Sequence, residues 1–288
     1  SLGERVVLEH HPFPADLEAD VMVIASPRGT QLEAVEAAIE ARRPAVLVGD
    51  GLAETIAVLA LSGLAGRAGV PVAVGCGFAP GLSCLLAAHG GSWFERVEEI
   101  HVAKAGTGGP ACALVHHRAL SRRSYDWREG DWVRRPGGSG RELAWFPDPV
   151  GPRDCYRAAL PDPVLLHHAF PDVDRVTARM AATRRDRLTA PMPMLSPSHL
   201  EGGVGAVRVE IRGRRDGVED VVVLGASGRP AIAAAAVVAT AVEWLLAGRN
   251  RVRGMVGLAE MVEPLAFLDD LAATGLEAQV FEGDRALV

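Results

Sequence analysis

The first part of the chain alternates short apolar runs with segments that carry apolar residues at helical spacing. The run 21–26 (VMVIAS) is continuous and ends in small residues, which is typical of a strand buried on both faces of a parallel sheet. Similar runs follow at 45–48 and 70–74, and helices are predicted after them at 52–64 and 82–89. This alternation predicts parallel βαβ crossovers.

The pattern changes after Gly91. Residues 204–212 alternate apolar and charged positions, and after a turn the chain returns as 218–224, which predicts an antiparallel hairpin with one wet face. A mostly Ala and Val run after Pro230 predicts a long buried helix. We therefore predict an α/β fold with a Rossmann-like parallel sheet and a second α+β domain built on a mixed or antiparallel sheet.

Composition excludes several classes of function. The formal net charge is −6 and the isoelectric point is near 5.9, so the chain lacks the basic surface that nucleic acids require. The best membrane candidate, 231–247, is shorter than the roughly 20 residues of a span, and Thr240 and Glu243 interrupt it. With no leader pattern and no CxxC pair, we expect a cytoplasmic protein with reduced thiols and no membrane partner.

Two glycine-rich segments are candidates for contact with a ligand. Residues 106–111 (GTGGPA) fit G-x-G-x-x-A after a strand, but no second strand of a βαβ unit follows, so a tight turn beside a substrate site competes with a phosphate loop. Residues 75–81 (GCGFAPG) are either a simple turn or a loop near a nicotinamide. No G-x-G-x-x-G element precedes residue 21, which predicts that the first, phosphate-binding βαβ unit is missing.

The candidate chemical groups lie near the ends of predicted strands. Lys104, the only lysine, is an acid–base group, a carboxylate anchor or a surface residue. His116 and His117 are adjacent, and acid–base and structural roles stay open for both. Because neighbours on a strand point to opposite faces and no HExxH motif occurs, we predict no metal site. Asp50 ends a parallel strand and is either a ligand contact or a helix cap.

Several of these segments resemble the saccharopine dehydrogenase-like family, which includes saccharopine reductases and carboxynorspermidine dehydrogenases. The likeness is carried by 21–27 (VMVIASP), by Val48-Gly49-Asp50 and most specifically by 75–82 (GCGFAPGL). Residues 102–111 (VAKAGTGGPA) look like the opening of the second domain in some bacterial members, and the hairpin, the long helix and the tail are similar too. The likeness therefore covers essentially the whole chain. Ala79 departs from the family, because many members carry an acid there.

The resemblance implies an NAD(P)-binding Rossmann domain and an inserted substrate domain with the active site between them. We divide the chain into a partial NAD(P)-binding domain (1–91), an α+β substrate and dimerisation domain (92–229), and C-terminal helices that pack back on both (230–288). Lys104 and His117 are expected to be catalytic, and Thr107, His116 and Arg118 to bind substrate. The cofactor, NAD or NADP, is expected to lie against Ala25, Ser26, Pro27, Gly49, Asp50, Gly75, Cys76, Gly77 and Phe78.

Two hypotheses about function follow. The first is an NAD(P)-dependent oxidoreductase that transfers hydride at a C–N bond of an amino- or imino-acid substrate. The second is a truncated, non-catalytic Rossmann-like protein that binds a ligand or supports assembly. Losing two or three phosphate hydrogen bonds costs roughly 3–9 kcal/mol, which predicts weak or absent cofactor binding. The open edge of the parallel sheet predicts a homo-oligomer, specifically a dimer, and a monomer in light scattering would contradict this.

Overall fold

The described residues of this computed structural model are 19–26, 29–194 and 202–276, with 278–281 as backbone only. The strands are β1 (Met22–Ile24), β2 (Ala45–Leu47), β3 (Val72–Val74), β4 (Arg96–Ala105), β5 (Ser124–Arg128), β6 (Asp131–Arg135), β7 (Glu142–Trp145), β8 (Pro152–Arg157), β9 (Arg175–Ala181), β10 (Gly205–Arg215), β11 (Val218–Gly228), β12 (Met255–Gly257) and β13 (Ala278–Phe281). The helices are α1 (Gln31–Glu40), α2 (Leu52–Leu59), α3 (Ser62–Ala68), α4 (Leu82–Gly91), α5 (Pro110–Ser121), α6 (Asp162–Ala169), α7 (Arg184–Thr189), α8 (Pro230–Leu246), α9 (Leu258–Met261) and α10 (Pro264–Ala272).

The first sheet is parallel and its strands follow the order β1-β2-β3-β12. All three residues of β2 and of β3 are buried, which explains why these runs are apolar without alternation. Within the described residues, β1 pairs only with β2, and the Val23 side chain on it is exposed. The dimer predicted from an open sheet edge stays a prediction.

The second sheet is mixed and has nine strands. Its central path runs β13-β11-β10-β4-β9-β5-β6, with β8 also beside β9 and β7 beside β8. β4 and β9 are parallel, whereas the other pairings are antiparallel. The two sheets together confirm the predicted α/β class.

The predicted hairpin is the longest antiparallel pair of the second sheet. β10 and β11 pair over their full length, from Gly205 opposite Gly228 to Arg215 opposite Val218. Asp216 and Gly217 both have positive φ, as a two-residue turn of this hand requires. Along β10 the inward Val209 and Ile211 are fully buried, so the alternation in the sequence reports the buried face correctly.

Helix α4 joins the two sheets, because it follows β3 of the first and packs on β10 and β11 of the second. Gly90 permits this contact: a Cβ there would lie 2.5 Å from Ile211 Cδ1 and 2.8 Å from Leu224 Cδ1. The segment after residue 230 supplies β12 to the first sheet and β13 to the second. In the described part of the chain, none of the helices combines the length and the apolar character of a membrane span.

Two sequence-based expectations about helices are wrong. The helix predicted at 52–64 is broken into α2 and α3 at Ala60–Leu61. Residues 110–121 form helix α5, so the prediction that the histidine pair lies on a strand is wrong. His116 and His117 still face different surroundings, because consecutive residues of a helix are rotated by about 100° about its axis.

Candidate active site

A cavity of about 610 Å³ lies between the two sheets. One wall follows the carboxyl ends of β1, β2 and β3, the edge at which open α/β sheets bind ligands. The opposite wall is formed by Lys104 at the end of β4, by α5 and by the first turn of α8. The cavity therefore draws its lining from both sheets, and its volume lies in the usual range for a small-molecule site.

The turn between β3 and α4 shapes the first wall. Gly77 N donates to Pro80 O at 2.9 Å, and Leu82 N donates to Gly77 O at 2.9 Å. Gly81 has φ of 129°, and a Cβ there would lie 2.1 Å from Gly77 O. Only glycine fits this position, and the tight turn directs Phe78 and Ala79 to the cavity.

Lys104 is a buried lysine at the centre of the cleft, with 3% of its surface exposed. Its Nζ donates to Ala79 O at 2.8 Å and lies 2.8 Å from His116 Nε2. The first contact reaches the turn of the first sheet, and the second stays on the side of the second sheet. Lys104 therefore connects the two walls of the cavity at a point that a ligand can reach.

His116 lies on the buried face of α5 and contacts Asp50 as well as Lys104. Its Nε2 lies 3.2 Å from Asp50 Oδ2. Burial, followed by the charge of Lys104, lowers the pKa of His116, so this imidazole is neutral at physiological pH. Burial alone would raise the pKa of Asp50, but its contacts with His116 and the charge of Lys104 outweigh burial and bring that pKa below its ordinary value.

Cys112 completes this cluster one helical turn before His116. Its Sγ lies 3.5 Å from Asp50 Oδ2 and 3.6 Å from His116 Nε2. Burial raises the pKa of the Cys112 thiol to about 11, although the charge of Lys104 acts in the opposite direction. The thiol is consequently protonated and is not an activated nucleophile in this state.

A buried carboxyl group lies behind the cleft. Asp162, the first residue of α6, is fully buried, and Ser83 Oγ donates to its Oδ1 at 2.6 Å. Its Oδ2 has no hydrogen-bond partner among the described residues. Burial raises the pKa of Asp162, with Lys104 and His116 acting against the shift. Asp162 therefore begins a buried helix, with prolines on both sides of it.

The structure brings most of the predicted site residues to the cavity. Those that line it are Ala25, Ser26, Gly49, Asp50, Gly77, Phe78, Lys104, His116 and Arg118. Gly75 and Cys76 lie in the cavity-forming turn but do not line the cavity, and the Cys76 thiol is fully buried against Ala73 O. Pro27 lies outside the described residues.

His117 and Thr107 do not line the cavity. His117 Nε2 lies 3.0 Å from Met192 O, on a different side of α5 from Lys104. The residue beside Lys104 is His116, which the sequence had assigned to substrate binding. The available signal was the helical spacing of buried positions in α5, where Ala113, His116 and Leu120 share one face.

The GTGGPA segment is a turn that leads from β4 into α5. Gly106 has positive φ, and a Cβ on it would lie 2.7 Å from Gly205 Cα, so the glycine permits close approach of two backbones. β5, the strand after α5, runs antiparallel to β9, which is parallel to β4. The segment therefore does not open a βαβ unit, although Gly106 and Gly108 line the cavity.

Three dehydrogenases of known structure are similar to this chain at low sequence identity. An apo, histidine-tagged saccharopine dehydrogenase (L-Glu forming) from Saccharomyces cerevisiae superposes with a TM-score of 0.60 and 13% identity, over 93% of this chain and 85% of that chain. An amine dehydrogenase from Mycobacterium smegmatis gives 0.41 and 12% identity over 85% of this chain and 76% of that chain. A DAP dehydrogenase from C. glutamicum in complex with DAP superposes with a TM-score of 0.41 and 14% identity, over 90% of this chain and 82% of that chain.

The yeast structure shows that this chain shares the fold of a saccharopine dehydrogenase. At this identity the similarity concerns the fold alone. No family model matches the sequence, and no curated protein matches it.

Proposed function

We propose that this chain is an NAD(P)-dependent oxidoreductase that acts at a C–N bond of an amino- or imino-acid substrate. The observation that carries the proposal is the buried contact between Lys104 and His116, which faces a cavity at the carboxyl ends of parallel strands. A buried amine beside a neutral imidazole is suited to moving a proton to or from a substrate nitrogen. The shared fold with a saccharopine dehydrogenase supports the same reaction class.

The cofactor is proposed to lie against the wall formed by the first sheet. Gly49 and Gly77 present backbone without side chains there, and Ser26 Oγ is buried with no hydrogen-bond partner among the described residues. An orphaned hydroxyl at the end of a parallel strand fits contact with a polar ligand. When bound, a nicotinamide ring would accept or supply the hydride.

Proton handling is assigned to Lys104 and His116. Lys104 Nζ is held by Ala79 O, so its position does not depend on a substrate. His116 is kept neutral by burial and by the nearby charge of Lys104, and it can therefore accept a proton at Nε2 and return it. Asp50, a carboxylate beside His116, stabilises the imidazole when it carries the additional proton.

Arg118 is proposed to hold a substrate carboxylate. It lines the cavity and also an adjoining groove of about 320 Å³. Three further arginines line that groove without an acidic residue among its lining, namely Arg122, Arg123 and Arg134. Guanidinium groups bind carboxylates in a bidentate manner, so the groove favours a substrate with more than one acidic group.

Calorimetric titration with NADPH and with NADH, followed by a spectrophotometric assay with a panel of acidic amino acids, tests this function. We expect weak but measurable cofactor binding and turnover in the wild type, and a loss of turnover of about 10²–10⁴-fold in Lys104→Met with the same cofactor binding. Arg67→Met, an exposed position on α3, is the matched control and should behave as wild type. Absence of heat with either cofactor at millimolar concentration would reject the dehydrogenase and favour a non-catalytic binding protein.

A further inference from the structure

The groove beside the cavity collects four arginines, and we call it the arginine groove. Arg118 and Arg122 lie about one helical turn apart at the end of α5, and Arg123 follows directly. Arg134 comes from β6, and all four residues are exposed. Because the formal net charge of the chain is −6, four positive charges around a space of about 320 Å³ form a positive region on an otherwise acidic protein.

These arginines lack acidic partners within the described ranges 19–26, 29–194 and 202–276. There, none of the four makes an ion pair or a side-chain hydrogen bond, and no acidic residue lines the groove. Arginines on the second sheet differ, because Arg96 Nη2 lies 3.0 Å from Asp174 Oδ2 and Arg208 Nη2 lies 2.7 Å from Glu210 Oε2. Like charges that are held together without counter-charges repel one another, so a bound anion would stabilise the groove.

The first turn of α2 also borders the groove. Leu52 and Ala53 line it, and the N-cap is Gly51, which has no side chain to accept hydrogen bonds from the amides of that turn. The positive end of the helix dipole therefore adds to the field of the arginines.

The rest of the lining is apolar. It includes the half-buried ring of Tyr125 and the aliphatic side chains of Ile56, Val115, Ala119 and Ala159. Tyr125 stacks on Trp132 with 4.7 Å between the ring centroids, and Arg134 Cζ lies 5.0 Å from the centroid of Tyr125. The groove therefore offers apolar surface to an organic group that is attached to the anion.

We propose that the arginine groove binds a phosphomonoester, with the phosphate among the arginines and the organic group against Tyr125 and the aliphatic side chains. A phosphomonoester carries about −1.5 to −2 charges near neutral pH and has three strongly accepting oxygens, so several guanidinium groups can donate to it at once. A carboxylate has a single charge and two oxygens. The number of arginines without partners therefore favours a phosphate over one carboxylate.

This inference goes beyond the proposed function, because the phosphomonoester binds without cofactor or substrate. Val115 and Arg118 line both the cavity and the arginine groove. A phosphomonoester in the groove and a substrate carboxylate in the cavity therefore compete for the guanidinium of Arg118. Where turnover is measured, the phosphomonoester should raise KM for the acidic substrate and leave kcat unchanged.

The test is calorimetric titration of the full chain, without cofactor, with phenyl phosphate, inorganic phosphate, phenylacetate and benzyl alcohol. We expect phenyl phosphate to bind at least about tenfold more tightly than inorganic phosphate or phenylacetate, and benzyl alcohol to give no heat. The affinity for phenyl phosphate should fall as the salt concentration rises.

A double variant, Arg122→Gln with Arg134→Gln, should weaken phenyl phosphate binding at least about tenfold. The matched control is Arg67→Gln with Arg253→Gln, which removes two positive charges from exposed positions outside the groove and should bind as the wild type does. In the wild type, phenyl phosphate should also protect Arg122 and Arg134, but not Arg67, from modification by phenylglyoxal, as measured by mass spectrometry. This measurement does not depend on the folding of a variant.

The inference is overturned if phenyl phosphate gives no heat at millimolar concentration, if both double variants bind it equally, or if it protects none of the groove arginines. Equal affinity for phenylacetate would assign the groove to carboxylates instead. Equal affinity for inorganic phosphate would contradict the contact with an organic group.

Discussion

At the residue scale, the contrast between His116 and His117 shows how one position on a helix decides chemistry. His116 is buried against Lys104 and Asp50, whereas His117 reaches the carbonyl of Met192 outside the cavity. Two identical side chains adjacent in the sequence are therefore given different environments. Burial and a neighbouring positive charge lower the pKa of His116, and of the two histidines only His116 lines the cavity.

This contrast provides an internal control for the proposed activity. His116→Gln keeps a polar side chain but removes the proton-accepting nitrogen, so kcat/KM should fall by about 10²–10⁴-fold. His117→Gln should leave kcat/KM close to that of the wild type. Steady-state kinetics of both variants measures these changes in kcat/KM, and circular dichroism checks that both variants fold. Equal losses in the two variants would remove His116 from the proton pathway.

At the element scale, the turn between β3 and α4 positions the carbonyl group that holds Lys104. The turn closes through backbone bonds between Gly77, Pro80 and Leu82, and Ala79 O is directed to Lys104 Nζ. Ala79 acts through its backbone, so the absence of an acid there does not prevent this contact. The GCGFAPG motif is thus explained by the space and backbone conformation of the turn.

Gly81→Ala should destabilise the protein by at least about 3 kcal/mol, since a residue with a side chain is strained at this φ and its Cβ would meet fixed backbone atoms. Gly66→Ala is the matched control, because nothing lies within 4 Å of a Cβ at that position in α3. It should be neutral or stabilising by up to about 1 kcal/mol. Urea denaturation measures both changes. A Gly81→Ala protein as stable as Gly66→Ala would show that the turn is less constrained than described.

The elements differ in how well the sequence predicts them. Apolar runs predict β1, β2 and β3, because strands buried on both faces carry apolar side chains throughout. Alternation of apolar and polar residues predicts the β10–β11 hairpin, because only one of its faces is buried. Helix α5 was not predicted, since its outward-facing side lines a cavity and carries apolar Ala111, Leu114 and Val115 where solvent would select polar residues. Lys104 and Asp50 lie at the ends of strands that the sequence predicts, so the sequence identifies them as candidates. Cys112 joins them only through helix α5, which the sequence does not predict.

At the scale of the whole molecule, an ion pair links the helices of the two sheets. His168 on α6 contacts Glu260 on α9, with 2.8 Å from Nδ1 to Oε1. α6 packs on β9 and β5 of the second sheet, and α9 contacts β3 and β12 of the first. The hydrogen bond to Glu260 raises the pKa of His168, because it favours the charged imidazole in the folded state.

Stability should therefore depend on pH through this pair. A histidine with a raised pKa contributes its full stabilisation below the unfolded pKa of about 6.5, and the contribution is lost as pH rises through the folded pKa. Because about half of the side chain is exposed, solvent screening limits the effect to about 1 kcal/mol or less. Urea denaturation at about pH 5.5 and about pH 8.5 should show a larger difference between wild type and His168→Gln at the lower pH. An equal difference in the free energy of unfolding at both pH values would contradict a role of the His168–Glu260 pair in this pH dependence.

The position of β12 in the first sheet has a consequence for synthesis of the chain. β3 pairs on one side with β2, but its other neighbour, β12, is translated roughly 180 residues later. At a synthesis rate of about 5–20 residues per second, one edge of β3 stays unpaired for on the order of 10–40 s before β12 is synthesised. During this interval a nascent chain exposes a short apolar edge that a chaperone or a neighbouring ribosome product can occupy. The first sheet is thus completed late, when the C-terminal part of the chain places β12 beside β3.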